Sequence, residues 1–189
     1  MPDEYGEPQP ALGSVIEVDR GALPFSLVHG EALVAAAAWA LDASGVTLLD
    51  FATSWGAVRE AGEPVVLHDA LCPMTPPAFL ARCLETAVER GAVVVGVRPV
   101  TDTVKTVADG FVGQTLDRAD LVAVTSPIVL PSEVVAALEE LPSTDFAVLA
   151  SELAARFPVI TEEAPPEGRR VASRQDVALL EALTRPVRH

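Results

Sequence analysis

The sequence is poor in cysteine and in basic residues, and it has no long apolar run. Its two cysteines, Cys72 and Cys83, form no CxxC pair and stand near no histidine cluster, so neither a zinc site nor a disulfide framework is indicated. Thiols used this sparingly fit a reducing cytoplasm. No apolar stretch is long enough to span a bilayer. The opening, Met1 to Pro10, is acidic and proline-rich rather than a basic segment followed by an apolar one. A cytosolic protein without membrane contact is expected. Lysine and arginine together number 13 against 27 acids, giving a formal net charge of −14. That balance disfavours nucleic acid, whose binding depends on clustered cations that release counterions from the phosphates. A small anionic ligand stays open wherever a few cations converge, and each basic side chain then carries more weight.

What is present fits one domain of ordinary size. The 189 residues are 50% hydrophobic, enough to bury a core without metal or disulfide staples. Residues 1–12 read as a flexible leader and 13–186 as a single domain. Within it, short β-branched or apolar runs alternate with helical patterns: Ser14 to Val18, Val46 to Phe51, Val65 to His68, Ala92 to Val97, Leu121 to Thr125 and Pro158 to Thr161. This is the βαβ rhythm of an α/β fold with a doubly wound, mostly parallel sheet covered on both faces.

The clearest helix is opened by Thr75, Pro76 and Pro77. Phe79, Leu80, Cys83, Leu84, Ala87 and Val88 recur on one face, and Gly91 ends it. Glu31 to Leu41, Ser132 to Leu141, Thr144 to Phe157 and Gln175 to Leu183 behave similarly, with Ser132 and Thr144 suited to capping. The stretch from Val100 to Arg118 breaks the rhythm, because its residues alternate around Asp109-Gly110 in the manner of a β-hairpin. A hairpin inserted into a parallel domain has few neighbours of its own and is marginal alone. It is therefore expected to be a dimerisation arm packed on a second subunit, making a homodimer.

Four segments come in a telling order: Leu67-His68-Asp69-Ala70 with Pro73, Pro99 to Lys105 containing Asp102-Thr103, Thr115-Leu116-Asp117-Arg118, and Thr144-Asp145. Over roughly Pro64 to Leu183 the chain resembles the 2-C-methyl-D-erythritol 4-phosphate cytidylyltransferases. The resemblance implies a Rossmann-like nucleotidyltransferase fold and CTP-dependent cytidylyl transfer to a sugar-alcohol phosphate, with release of pyrophosphate, in isoprenoid biosynthesis. It also implies roles: Asp69 as a Mg2+-facing carboxylate, Thr103 and Arg118 on the arm as sugar-phosphate contacts, Ser126 near a substrate-binding threonine, and Arg170 in place of a late catalytic lysine. Arg20 would substitute in part for the cations of the family's first loop.

Family members open with a glycine-rich loop holding an arginine and then a proline-lysine pair, which grips the triphosphate. Here the stretch from Val15 to Phe25 is shorter, has one glycine, places Phe25 after Pro24 where the lysine belongs, and adds Glu17 and Asp19. Cys72 replaces an arginine and Ile128 a glutamine. These losses fall on nucleotide contacts, so a non-catalytic relative that binds a sugar phosphate, nucleotide or protein partner is the alternative to a working transferase.

Structural roles also compete for the same residues. Asp69 could cap the loop that follows it, Thr103 could simply suit a hairpin, and Arg118 could guard a sheet edge. Arg169 and Arg170 could form a solvated cluster. His68 reads as a polar residue beneath a loop, His29 as part of a turn, Cys83 as core, and Trp39 and Trp55 as core or interface.

Overall fold

The computed structural model describes residues 10–50, 52–100, 105–108, 111–115 and 121–185, the segments 105–108 and 111–115 by their backbone alone. Their strands are β1 (Leu12–Ile16), β2 (Leu27–Val28), β3 (Glu31–Ala32), β4 (Thr47–Leu48), β5 (Val65–Asp69), β6 (Val93–Pro99), β7 (Lys105–Ala108), β8 (Phe111–Thr115), β9 (Val122–Leu130) and β10 (Val159–Glu163). The helices are α1 (Leu33–Ala43), α2 (Trp55–Ala61), α3 (Pro77–Arg90), α4 (Ser132–Ala137), α5 (Phe146–Ala154) and α6 (Arg174–Leu183).

Six strands form one sheet in the order β10-β6-β9-β5-β1-β4. β4, β1 and β5 run parallel, as do β6 and β10, while β9 lies antiparallel between β5 and β6. The sheet is thus mixed and mostly parallel, as expected of the α/β class. Alternation along the strands sorts side chains to two faces. Val65, Leu67, Ile128 and Leu130 pack with α4, α5 and Val58 of α2 on one side, whereas Val66, Val94 and Val129 pack with α1 and α3 on the other. Val28, Leu33, Leu71, Val171, Val177 and Leu180 form a third cluster that seats α6 beside β2.

Local signals explain the boundaries. Prolines 76 and 77 supply the fixed φ of a helix start, and Gly91, at φ 59, takes the left-handed conformation that ends α3. Its Phe79, Leu80, Cys83 and Ala87 are buried as the periodicity requires. Several boundaries differ from expectation, three of them for visible reasons. Asp145, not Thr144, caps α5, because its carboxylate accepts from the amides of Ala147 and Val148. Helix α1 starts at Leu33 rather than Glu31, since Glu31 and Ala32 pair with Leu27 and Val28. β1 begins at Leu12 with Ala11 buried beside it, inside the segment read as leader. Residues 1–9 of that leader lie outside the described residues.

The expected hairpin exists as β7 and β8, paired antiparallel from Lys105 and Thr115 to Ala108 and Phe111. It forms its own two-stranded sheet, separate from the six-stranded one. Its Asp109-Gly110 turn, and with it Thr103 and Arg118, lie outside the described residues.

One packing contact is unusually demanding. A Cβ at Gly96 of β6 would sit 2.3 Å from the backbone oxygen of Ser126 and 2.6 Å from its carbon. Those are main-chain atoms of the neighbouring strand and cannot rotate away. Gly96→Ala is therefore expected to destabilise the fold by about 3 kcal/mol, read as a fall in the urea midpoint. Gly13→Ala should cost less, because its Cβ meets the Val46 and Leu41 side chains, which can shift.

Candidate functional site

The candidate site is built at the C-terminal ends of β1 and β5, where parallel sheets place their ligands. Register sets Ile16 beside Asp69, so the loop leaving β1 rises next to the last residue of β5. Asp69 is completely buried. Burying a carboxylate is costly unless it is paired and hydrogen-bonded, and Asp69 is held by three donors. Its Oδ1 accepts from Arg20 Nε at 3.1 Å and from the Leu71 amide at 2.9 Å, and its Oδ2 accepts from Arg170 Nε at 3.0 Å. The loop-capping alternative and the charge-pairing role thus coexist in one side chain.

Three segments distant in sequence are joined there. Arg20 also donates through Nη1 to the Val18 carbonyl at 3.1 Å and through Nη2 to the Thr144 carbonyl at 2.6 Å. The Thr144 hydroxyl donates back to Asp19 at 2.8 Å. The Arg20 side chain is only 4% exposed, and its guanidinium lies 6.0 Å from the Phe146 ring centroid. Arg170 is more open, at 36%, and it is no solvated partner of Arg169 but a second arm of the Asp69 pair. Nearby, the Val148 amide first, then the Ala147 amide and the charges of Arg20 and Arg170, hold the Asp145 carboxyl below its usual range against the opposing pull of desolvation.

Beneath this layer lies a second one. Ser126 is fully buried; its hydroxyl accepts from the Asp69 amide at 3.1 Å and shares a hydrogen bond with His68 Nδ1. Ser126 therefore supports the strand end that carries Asp69, and its hydroxyl is engaged inside the fold. His68 sits beneath the loop as expected, with Nε2 unpartnered among the described residues. His29 occupies a turn at φ 50 and bonds Thr184. Burial, together with Asp69 and against both arginines, pushes the Cys72 thiol well up, so it is no nucleophile. Trp55 packs on the core and donates to the Leu138 carbonyl, whereas Trp39 is 67% exposed. Trp39 borders a separate apolar groove of about 660 Å³, shared with Val28, Met74 and Pro76, that contains none of Arg20, Asp69 and Arg170.

Comparison with known proteins settles the lineage. The family model for IspD, 2-C-methyl-D-erythritol 4-phosphate cytidylyltransferase, matches residues 52–183, more than half of the chain. The chain belongs to this family. A 2-C-methyl-D-erythritol 4-phosphate cytidylyltransferase of Corynebacterium diphtheriae is 29% identical over 170 residues, covering 86% of this chain and 64% of that protein. A bifunctional IspD/IspF enzyme of Nitratidesulfovibrio vulgaris is 41% identical over 90 residues, 47% of this chain and 23% of that protein. The chain thus spans less than two-thirds of the length of either relative. Among solved structures, the cytidylyltransferase of Thermus thermophilus aligns with a TM-score of 0.64 at 24% identity, covering 92% of this chain and 98% of that one. The synthase from Anaerococcus prevotii gives 0.67 at 14%, covering 94% and 99%.

Within the family pattern, this chain brings Arg20, Asp69 and Arg170 together, with Ser126 one layer below; Thr103 and Arg118 lie outside the described residues. Sequence reasoning missed the link from Arg20 to Thr144. A carbonyl acceptor leaves no mark in side-chain identity, and only the Thr144-Asp145 motif drew attention to that turn.

The expected magnesium ion at Asp69 does not fit this donor set. Magnesium needs near-octahedral oxygens at about 2.0–2.1 Å, and both oxygens of Asp69 already accept from guanidinium groups. At 4 Å and an effective dielectric near 20, two unit charges repel by about 4 kcal/mol, and a divalent ion doubles that against each arginine. No group of three or more acidic, histidine or cysteine side chains that could hold a metal occurs among the described residues.

The buried His68 gives a pH dependence. Desolvation lowers its pKa from 6.5 to about 4, although Asp69 pulls the other way. The unfolded chain therefore takes up a proton near pH 6.5 that the folded chain refuses until about pH 4. Stability from this group is fully present above 6.5 and is lost as pH falls toward 4, on the order of 3 kcal/mol in all. His68→Gln should flatten that part of a plot of melting temperature against pH.

Proposed function

We propose that the strand-end cleft around Asp69 and Arg170 is the substrate site of a methylerythritol-phosphate cytidylyltransferase-type protein, taking CTP and a sugar-alcohol phosphate. The observation that carries this reading is the convergence of Arg20, Asp69 and Arg170 from three separate segments, together with membership of the family. In such transfer an oxygen of the acceptor phosphate attacks the α-phosphorus of CTP and pyrophosphate leaves. Catalysis is then mostly positioning and charge neutralisation. Asp69 orients Arg170 through Nε, so the two Nη groups point their donors at phosphate oxygens. Ser126 fixes the Asp69 backbone, and Thr103 and Arg118 complete the sugar-phosphate contacts from the arm.

The arm, from Val100 to Arg118, joins two copies as a homodimer in this proposal, which its separation from the main sheet supports. A cytoplasmic setting suits two buried free thiols and a described chain in which no helix is long and apolar enough to cross a membrane.

A second reading has its own support. Arg20 spends Nε, Nη1 and Nη2 within the chain, and Phe25, 64% exposed, offers no charge where the family has a lysine. On that reading the protein is a non-catalytic relative that retains the sugar-phosphate half of the site.

Calorimetric titration and a pyrophosphate-release assay test both. Saturable binding of methylerythritol phosphate, lost in Arg170→Gln, is expected. Turnover with CTP should run roughly 10²–10³-fold below that of a relative with the full loop, the usual cost of one missing electrostatic donor. Binding without any pyrophosphate release selects the non-catalytic reading, and binding of neither compound defeats the proposal.

A further inference from the structure

We propose that this site takes its phosphate ligand through Arg170 with no divalent cation at Asp69, the carboxylate serving as a positioning residue for arginine. The inference rests on the reading of the cleft as a phosphate site, and it departs from the magnesium role that the family pattern implies.

Asp69 is buried and holds three hydrogen bonds, one from each arginine and one from the Leu71 amide. A carboxylate that ligates a cation presents an oxygen lone pair to it; here three of roughly four acceptor sites are taken, by an Nε donor on each oxygen and by the Leu71 amide. The two arginines differ in what they have left. Arg20 is sealed, with three nitrogens bonded inside the chain and 4% of its side chain exposed. Arg170 makes one hydrogen bond among the described residues, through Nε, and is 36% exposed. Its four Nη hydrogens form the planar fork that matches phosphate oxygens.

The charge within hydrogen-bonding reach of Asp69 is that of two guanidiniums and one carboxylate, positive by one unit. Two outer acids lie further off: Asp19 accepts from the Thr144 hydroxyl, and Asp145 accepts from two helix amides while also feeling the charge of both arginines. An anion meets a preassembled cationic fork, and a cation meets guanidiniums first. Asp69 keeps Arg170 in place in the way a carboxylate orients any long, flexible cation, and without it the fork loses its fixed direction.

The Nε–H resonances of Arg20 and Arg170 in 15N-labelled protein report on the two bonds to Asp69 directly. Magnesium chloride alone, titrated to millimolar concentration, should leave both unmoved, whereas Asp69→Asn should shift both in protein that remains folded by circular dichroism. In parallel, calorimetry with methylerythritol phosphate should give the same affinity with excess EDTA as with magnesium. Arg170→Gln should weaken it by roughly 10-fold or more, with Arg170→Lys in between. A saturable magnesium shift of either Nε–H, or phosphate binding that requires magnesium, overturns the inference while leaving the phosphate site standing. Absence of phosphate binding under both conditions overturns the inference together with the reading beneath it.

Discussion

A buried carboxylate between two arginines organises the functional end of this molecule. Asp69 ends β5 with no solvent contact, and its charge is tolerable only because Arg20 and Arg170 each place Nε about 3 Å from one of its oxygens. The demand runs outward from there. Arg20 must be held, so the loop after β1 folds back and is tied to the Thr144 carbonyl. Arg170 must be held, so the backbone around it docks, with the Val171 amide donating to the Leu71 carbonyl. The Asp69 amide itself rests on the Ser126 hydroxyl. Segments near residues 20, 70, 126, 144 and 170 thus meet at one point.

That arrangement explains how a family member can keep the fold and alter the site. The first loop that the family pattern implies would wrap a triphosphate with backbone amides and basic side chains. Here the loop is short, and its arginine is spent on closing the strand ends. The remaining outward-facing positive charge sits at Arg170 alone among the described residues of the cluster. On the non-catalytic reading proposed above, a site built this way takes a single phosphate rather than a triphosphate, in keeping with Phe25 and with the acidic Glu17 and Asp19 of the same loop.

The fold was largely legible because it rests on local, repetitive signals. β5 and β6 are nearly continuous in valine and leucine, and α3 announces itself by two prolines, an apolar stripe and Gly91. β9 was legible only in part: Leu121 to Thr125 was expected as a strand, but it runs on to Leu130 through Pro127, a residue that argues against a strand interior. Its antiparallel course depends on neighbours rather than on its own residues. At the site, Asp69, Arg20 and Arg170 were singled out through motif resemblance. Their mutual pairing was not, because arginine reaches a partner over many sequence positions and one of its main acceptors is a carbonyl.

The central claim is that Arg20 and Asp69 act as one unit. A double-mutant cycle with Arg20→Met and Asp69→Asn, measured by urea unfolding, tests it most directly. The account predicts that the two losses are strongly non-additive, with a coupling energy of about 1–3 kcal/mol, since removing either partner already strands the other. Losses that simply add would contradict it, and would make the buried pair a passive neighbour of the site rather than its foundation.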